Sequence, residues 1–207
     1  MPHIKIDAKD AFKIENILNE NPLCELPSHW LNPVEEIIDG FLPIFESIEF
    51  PMDTKIRVDG NALVGDSALN DSINAFPIRN TQKYLLQSKC KFPGIETCER
   101  YFSEIFKRSI YRTSNGVWYP RNGFMGWHTN NNLPGLRLYL TYADEMEMSF
   151  FRYMDPVTRK IITSFDKKGW ALRLFCIPQD GFFWHCVYSD CNRYSLGWHM
   201  PVSSNII

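Results

Sequence analysis

A chain of 207 residues is long enough for one well-buried core and short for two, so a single domain spanning 1–207 is expected. Its 44% hydrophobic and 22% charged residues exclude an extensively disordered chain, and a formal net charge of -2 offers no basic excess for nucleic acid or an anionic membrane. Six cysteines (24, 90, 98, 176, 186, 191) form no C-x-x-C pair, the start Met1-Pro-His-Ile-Lys lacks an apolar signal core, and no run approaches the ~20 apolar residues of a membrane helix, so a reduced, cytosolic protein is expected.

In chain order, residues 1–110 read as helical support and irregular segments. Ala8 to Asn19 places Ala11, Ile14, Ile17 and Leu18 near one helical face, and Pro33 to Phe45 begins with Asn32 as cap and Pro33 at the first helical position. Between Ile48 and Tyr84 the pattern is mixed: Lys55-Ile-Arg-Val suits a short strand, while Asp59-Gly60 and Pro77 mark turns. From Pro93 to Ile110, apolar residues at Ile95, Cys98, Tyr101, Phe102, Ile105 and Phe106 recur every three or four positions, which predicts an amphipathic helix covering a sheet.

Beyond Gly116 the texture changes to short aromatic and β-branched runs separated by turn residues. Strands are expected near 116–120, 124–130, 135–142, 147–153, 160–164, 170–177, 182–188 and 193–200. Eight short strands with the helices segregated at the N-terminal end predict an α+β, mainly β fold: a double-stranded β-helix, jelly-roll or cupin-like, whose N-terminal helices pack on one sheet. The core is expected over 111–207.

Three pieces of this half suggest a metal site: Gly126-Trp-His-Thr-Asn130, Phe183-Trp-His-Cys-Val187 and Arg193-Tyr-Ser195. In a strand, positions i and i+2 share a face, so His128 and Asn130 can approach one ion, with His185 as third ligand. Arg193 and Ser195 offer a donor fork and a hydroxyl suited to the far carboxylate of a small dicarboxylic acid. His3 and His29 lie outside the β-region and read as packing residues. His199 is a rival ligand, but it lies about 20 Å along an extended strand from Arg193, too far for one five-carbon acid to join the two. If 182–188 and 193–200 form a hairpin, pairing Val187 with Arg193 sets His185 opposite Ser195 and puts all four side chains on one face.

These motifs resemble the iron(II)- and 2-oxoglutarate-dependent dioxygenases, whose double-stranded β-helix carries an H-x-D/E…H triad followed by Arg-x-Ser. The likeness covers about Gly116 to Met200, and the segments Gly-Trp-His-Thr-Asn and Phe-Phe-Arg-Tyr-Met-Asp-Pro are also similar to oxygenase-like proteins of phages and marine microbes. It implies an oxidoreductase, with a hydroxylation outcome, that uses Fe(II) and the cosubstrate 2-oxoglutarate. His128 and His185 would be catalytic metal ligands, with Arg193 and Ser195 on the distal carboxylate. Asn130 stands where the family has a carboxylate. It either ligates weakly, leaves its place to water or halide as in halogenating members, or marks a domain that has lost iron. Tyr119 and Tyr139 stand where related enzymes present a phenol to the cosubstrate, or else pack the core. Arg137 and Arg173 face either substrate or solvent, and Phe182, Phe183, Trp184 and Trp198 are expected as a dry wall around His185. The competing classes are a metal-only cupin-like binding protein and a catalytically inactive fold that binds a partner.

Overall fold

A computed structural model describes residues 22–48, 64–74, 83–84, 86–87, 91–114 and 116–201. The expected helix over 8–19, the strand at 55–58 and the turns at Asp59-Gly60 and Pro77 lie outside these residues. The described strands form two antiparallel sheets. The larger contains β1 (Leu23–Leu26), β3 (Leu86–Gln87), β4 (Tyr111–Arg112), β5 (Val117–Tyr119), β7 (Gly135–Ala143), β10 (Gly169–Ile177) and β12 (Arg193–Met200), in the order β1-β10-β7-β12-β5-β3 with β4 also on β12. The smaller has the order β2-β6-β11-β8-β9, from Lys83–Tyr84, Gly123–His128, His185–Ser189, Ser149–Met154 and Ile161–Phe165. The eight strands expected after Gly116 are all present, with ends moved by a few residues. This is a mainly β double-stranded β-helix.

Alternation along the strands builds two cores from the larger sheet. Even-numbered side chains of β7, β10 and β12, among them Leu138, Leu140, Leu172, Leu174, Leu196 and Trp198, face the N-terminal helices. The helix Ile95–Phe106 meets them with Ile95, Cys98, Phe102 and Phe106, and the Phe102 ring lies 5.5 Å from that of Trp198. Each such large apolar side chain contributes about 1.5–3 kcal/mol on burial. Odd-numbered positions face the smaller sheet, where Tyr119, Phe175, Phe151, Tyr153, Phe183 and Val187 fill the interior.

Several expectations need correction. The helix proposed for 33–45 is a 3-10 helix, Ser28–Val34, followed by the short helices Glu35–Asp39 and Leu42–Glu46; Pro33 lies inside the 3-10 turn rather than opening a helix, and Pro43 breaks the later stretch. Leu23–Leu26, read as part of the helical region, is an edge strand on β10, too short before Pro27 for its alternation to register. The helix Asp66–Asn74 packs on the outer face of the smaller sheet, its Leu69 clustered with Phe124, Trp127 and Trp184, so helices cover both sheets. Above all, β11 and β12 form no hairpin: β11 pairs with β6 and β8, whereas β12 pairs with β7, β5 and β4. The link crosses between sheets at a corner fixed by Asn192, whose backbone N–H and side-chain amide both donate to Asp144, at 2.9 and 2.8 Å. No helix among the described residues is long and apolar enough to cross a membrane.

The two sheets are bolted together by charge. Asp166, just past β9, accepts from Arg173 of β10 at one oxygen, and from Arg193 Nε of β12 at 2.9 Å and Ser149 Oγ of β8 at 2.5 Å at the other. All four residues are buried. Burial by itself would raise the Asp166 carboxyl, but the charges of Arg173 and Arg193 and the hydrogen bonds from Ser149 and Arg173 outweigh it and hold the group well below the usual carboxylate range. Asp166→Asn therefore leaves two buried guanidinium groups without their anion and should cost about 3–5 kcal/mol in urea unfolding. Because the folded pKa is depressed, the unfolded chain takes up the proton first. This stability is complete above the ordinary carboxyl value of about 3.9 and falls as pH drops below it, a slope that the Asn variant should lack. Equal urea midpoints for parent and variant, or equal acid slopes, would contradict the assignment.

Candidate metal and cosubstrate site

His128 ends β6 and His185 begins β11, and the two are directly paired across the ladder. Their ring centroids are 4.1 Å apart at an angle of 55°. Each ring is oriented the same way by its own strand: His128 Nδ1 lies 2.7 Å from the Gly126 carbonyl oxygen and His185 Nδ1 2.8 Å from that of Phe183. A carbonyl can only accept, so both Nδ1 atoms carry the hydrogen; in a neutral ring so oriented Nε2 keeps its lone pair, the arrangement in which a histidine coordinates a metal. Burial, the neighbouring His128 and the charge of Arg137 push the His185 pKa well below its ordinary value against the Phe183 hydrogen bond, so the ring is neutral. It packs on the rings of Phe151, Phe175 and Phe183 at 5.3–5.5 Å.

Asn130 joins this pair by a different route from the one its spacing suggests. The strand stops at His128, and Asn130 occupies the left-handed region at φ 52°, where Asn is among the tolerated residues, closing a turn in which Leu133 N donates to the Asn130 carbonyl at 3.1 Å. From there its amide nitrogen lies 3.2 Å from His185 Nε2. Turning the amide over places its oxygen on the same side. Among the described residues no three His, Cys, Asp or Glu side chains come together as a metal-ligand group; the two imidazoles are joined by an amide instead.

Arg193 and Ser195 are buried on the interior face of β12, paired with Tyr119 and Val117 of β5 and with Ala143 and Thr141 of β7. They share an interior with His185 across the two sheets, not one face of a hairpin. Arg193 spends its Nε on Asp166, its Nη2 is 3.5 Å from Thr141 Oγ1, and its guanidinium carbon stands 5.1 Å from the Tyr119 ring centre. Tyr119 and Tyr139 both face inward and are neutral donors: burial raises each phenol, opposed for Tyr119 by Arg193 and for Tyr139 by Arg137 and Arg193. Gly197 makes room for Tyr139, because a Cβ there would come within 2.7 Å of the Tyr139 ring.

Other expectations fare differently. His199 donates from Nε2 to the Pro134 carbonyl at 2.8 Å, which leaves it structural. Arg137 and Arg173 are buried between the sheets, not solvated. Of the four aromatics expected around His185 only Phe183 reaches it: Phe182 is exposed, Trp184 lies on the outer face of the smaller sheet, and Trp198 faces the helices. The strand parity that sends Trp198 outward brings Phe151 and Phe175 in. Asp166 escaped notice because Asp166-Lys-Lys-Gly169 reads as a turn; the signal was its parity with Ile162 and Ser164 in the preceding strand.

No family model and no curated protein matches the chain. Solved structures do. An oxidoreductase of the 2OG-Fe(II) oxygenase family from Burkholderia pseudomallei superposes with TM-score 0.52 and 13% identity, over 97% of this chain and 93% of that one. A prolyl hydroxylase from Trichoplax adhaerens, in complex with a hypoxia inducible factor oxygen degradation domain peptide fragment, gives 0.52 and 15%, over 93% of this chain and 89% of its own. The fold of this chain is the double-stranded β-helix of the 2OG-Fe(II) oxygenases.

Proposed function

We propose that this chain is an iron(II)- and 2-oxoglutarate-dependent oxygenase, a hydroxylase in outcome. The observation that carries the reading is the His128–His185 pair, with both Nδ1 atoms tied to carbonyls and Asn130 beside the Nε2 of His185. Two imidazoles and an amide oxygen are donors that a divalent iron accepts, though the set lacks the anionic oxygen that strengthens a 2-His-1-carboxylate site. His128, His185 and Asn130 would hold the metal, which with 2-oxoglutarate and dioxygen supplies the oxidising power. The protein supplies geometry and a dry wall of Phe151, Phe175 and Phe183.

Charge supports the cosubstrate. Among the described residues Arg173 and Arg193 are fully buried and share one buried carboxylate, Asp166. The positive charge left over beside Arg193 favours an anionic ligand. Arg193 is the residue we assign to the distal carboxylate: Asp166 pins Nε, which orients the guanidinium and leaves its Nη edge for the ligand, with Tyr119 and Ser195 alongside. The five described cysteines are free thiols, with burial pushing Cys24 and Cys98 up to about 11, which suits a reducing cytosol.

A second reading, a metal-only or inactive binding protein, is favoured by Asn130 in place of a carboxylate. Anaerobic protein with iron(II) and 2-oxoglutarate decides between them: the weak visible charge-transfer band of a chelated keto acid is expected, and no band with no bound iron would favour the second reading.

His128→Ala and His185→Ala should each abolish iron binding measured by metal content after dialysis, while Asn130→Asp, by adding an anionic oxygen, should tighten it by about tenfold or more, ~1.4 kcal/mol. Parent-like iron content in both Ala variants would move the site elsewhere, and an unchanged Asn130→Asp affinity would remove that side chain from the metal. For the cosubstrate, calorimetric titration of 2-oxoglutarate in the presence of Mn²⁺ should show Arg193→Lys weakened, because the fork is lost, and Arg193→Leu weakened by some hundreds-fold, following the ~3–5 kcal/mol of an unpaired buried charge. Manganese affinity should stay near that of the parent. Equal 2-oxoglutarate affinity in all three proteins would sink the assignment.

A further inference from the structure

The three interior arginines are not equivalent. Arg173 and Arg193 share Asp166, whereas Arg137, 3% exposed on β7, has no acidic partner among the described residues. Its Nη2 donates to the Leu133 carbonyl, and its Nη1 has no hydrogen-bond partner among the described residues. A guanidinium keeps its proton in a protein, so this is a buried positive charge with an open N–H, an arrangement that costs stability and that folded proteins seldom keep without a ligand or a partner.

Its position ties it to the histidine pair. The Leu133 carbonyl that Arg137 holds belongs to the turn closed by Leu133 N on the Asn130 carbonyl, and the Asn130 side chain lies against His185 Nε2. Leu133 is 44% exposed, so the turn whose carbonyl Arg137 holds lies at the rim of the fold at the His128–Asn130 end, with the guanidinium buried just beneath it. Arg193 stems from the other end of the same interior: along β12 it is six residues from His199, the residue that pairs with Arg137. Along the β7–β12 ladder Tyr139, paired with Gly197, stands between the two charges. The interior thus has two cationic positions, one neutralised in part by Asp166 and one not neutralised at all.

We propose that Arg137 docks a carboxylate of the primary substrate at the rim beside His128, His185 and Asn130, which makes the substrate class a carboxylic acid or an acidic side chain. A charge-assisted hydrogen bond from the open Nη1 to a carboxylate oxygen would supply the missing partner and the missing negative charge together. This deepens the proposed function and rests on it for the word substrate, but the carboxylate position itself requires only the residues described.

The test uses acetate as probe and the full chain. Arginine side-chain NMR of the parent, titrated with acetate in the presence of Zn²⁺ and 2-oxoglutarate and again with the protein alone, should show a saturable shift of the Arg137 guanidinium resonance. Arg137→Gln should weaken acetate binding tenfold or more while leaving 2-oxoglutarate affinity within about twofold, and Arg137→Met, which removes the unpaired charge, should melt no lower than the parent. An unshifted Arg137 resonance, or parent-like acetate affinity in Arg137→Gln, overturns the proposal. So does a fall in 2-oxoglutarate affinity comparable to that of the Arg193 variants, which would assign Arg137 to the cosubstrate, and so does an Arg137→Met melting point several degrees below the parent, which would make the residue structural. Failure of metal or 2-oxoglutarate to bind, with the acetate result intact in the protein alone, would instead remove the oxygenase reading and keep the carboxylate position.

Discussion

One buried carboxylate holds this interior together. Asp166 leaves the end of β9 in the smaller sheet and accepts from arginines on two strands of the larger one, with Ser149 completing the contact. A single buried guanidinium would be costly, and two facing one another more so; a shared anion with a hydroxyl donor makes the arrangement tolerable. The aromatic interior can then close between the sheets, and Arg193 is presented with one nitrogen committed and its remaining edge oriented.

The opposite end of the interior is organised by backbone rather than by charge. Two adjacent strands each turn a histidine so that its Nδ1 meets the carbonyl two residues earlier, which orients the two rings, 4.1 Å apart, in the same way. That arrangement needs no acidic residue, and among the described residues none joins the two histidines as a metal-ligand group. The consequence is a site richer in positive charge than a 2-His-1-carboxylate centre would be. Arg137, beside it, is the plainest expression of that excess.

Much of the architecture is legible in the residue pattern alone. The period-two alternation after Gly116 places eight strands because a pleated strand must separate apolar from polar faces, and the three- and four-residue spacing of Ile95 to Phe106 places the helix that covers the larger sheet. The candidate site is legible as a set of residue types, two histidines with a neighbouring amide and an Arg-x-Ser, because ligand chemistry restricts which side chains can serve.

Which strands are neighbours is not legible in that pattern. The short link from Ser189 to Arg193 has the length of a hairpin loop, and local pattern favours one; in the folded chain the link instead carries β12 into the other sheet, since β7 and β5 offer it a longer apolar ladder than β11 does. The same holds for Asp166, whose role depends on arginines 7 and 27 residues away, and for Arg137, whose solvation depends on a sheet that closes over it. Side-chain chemistry and strand period are local properties, so the sequence by itself determined the fold class and which residue types the candidate site could draw on. Partnership across sheets is set by the summed packing of distant segments, so only the tertiary structure decided which charges are paired, which are left open and what each histidine faces.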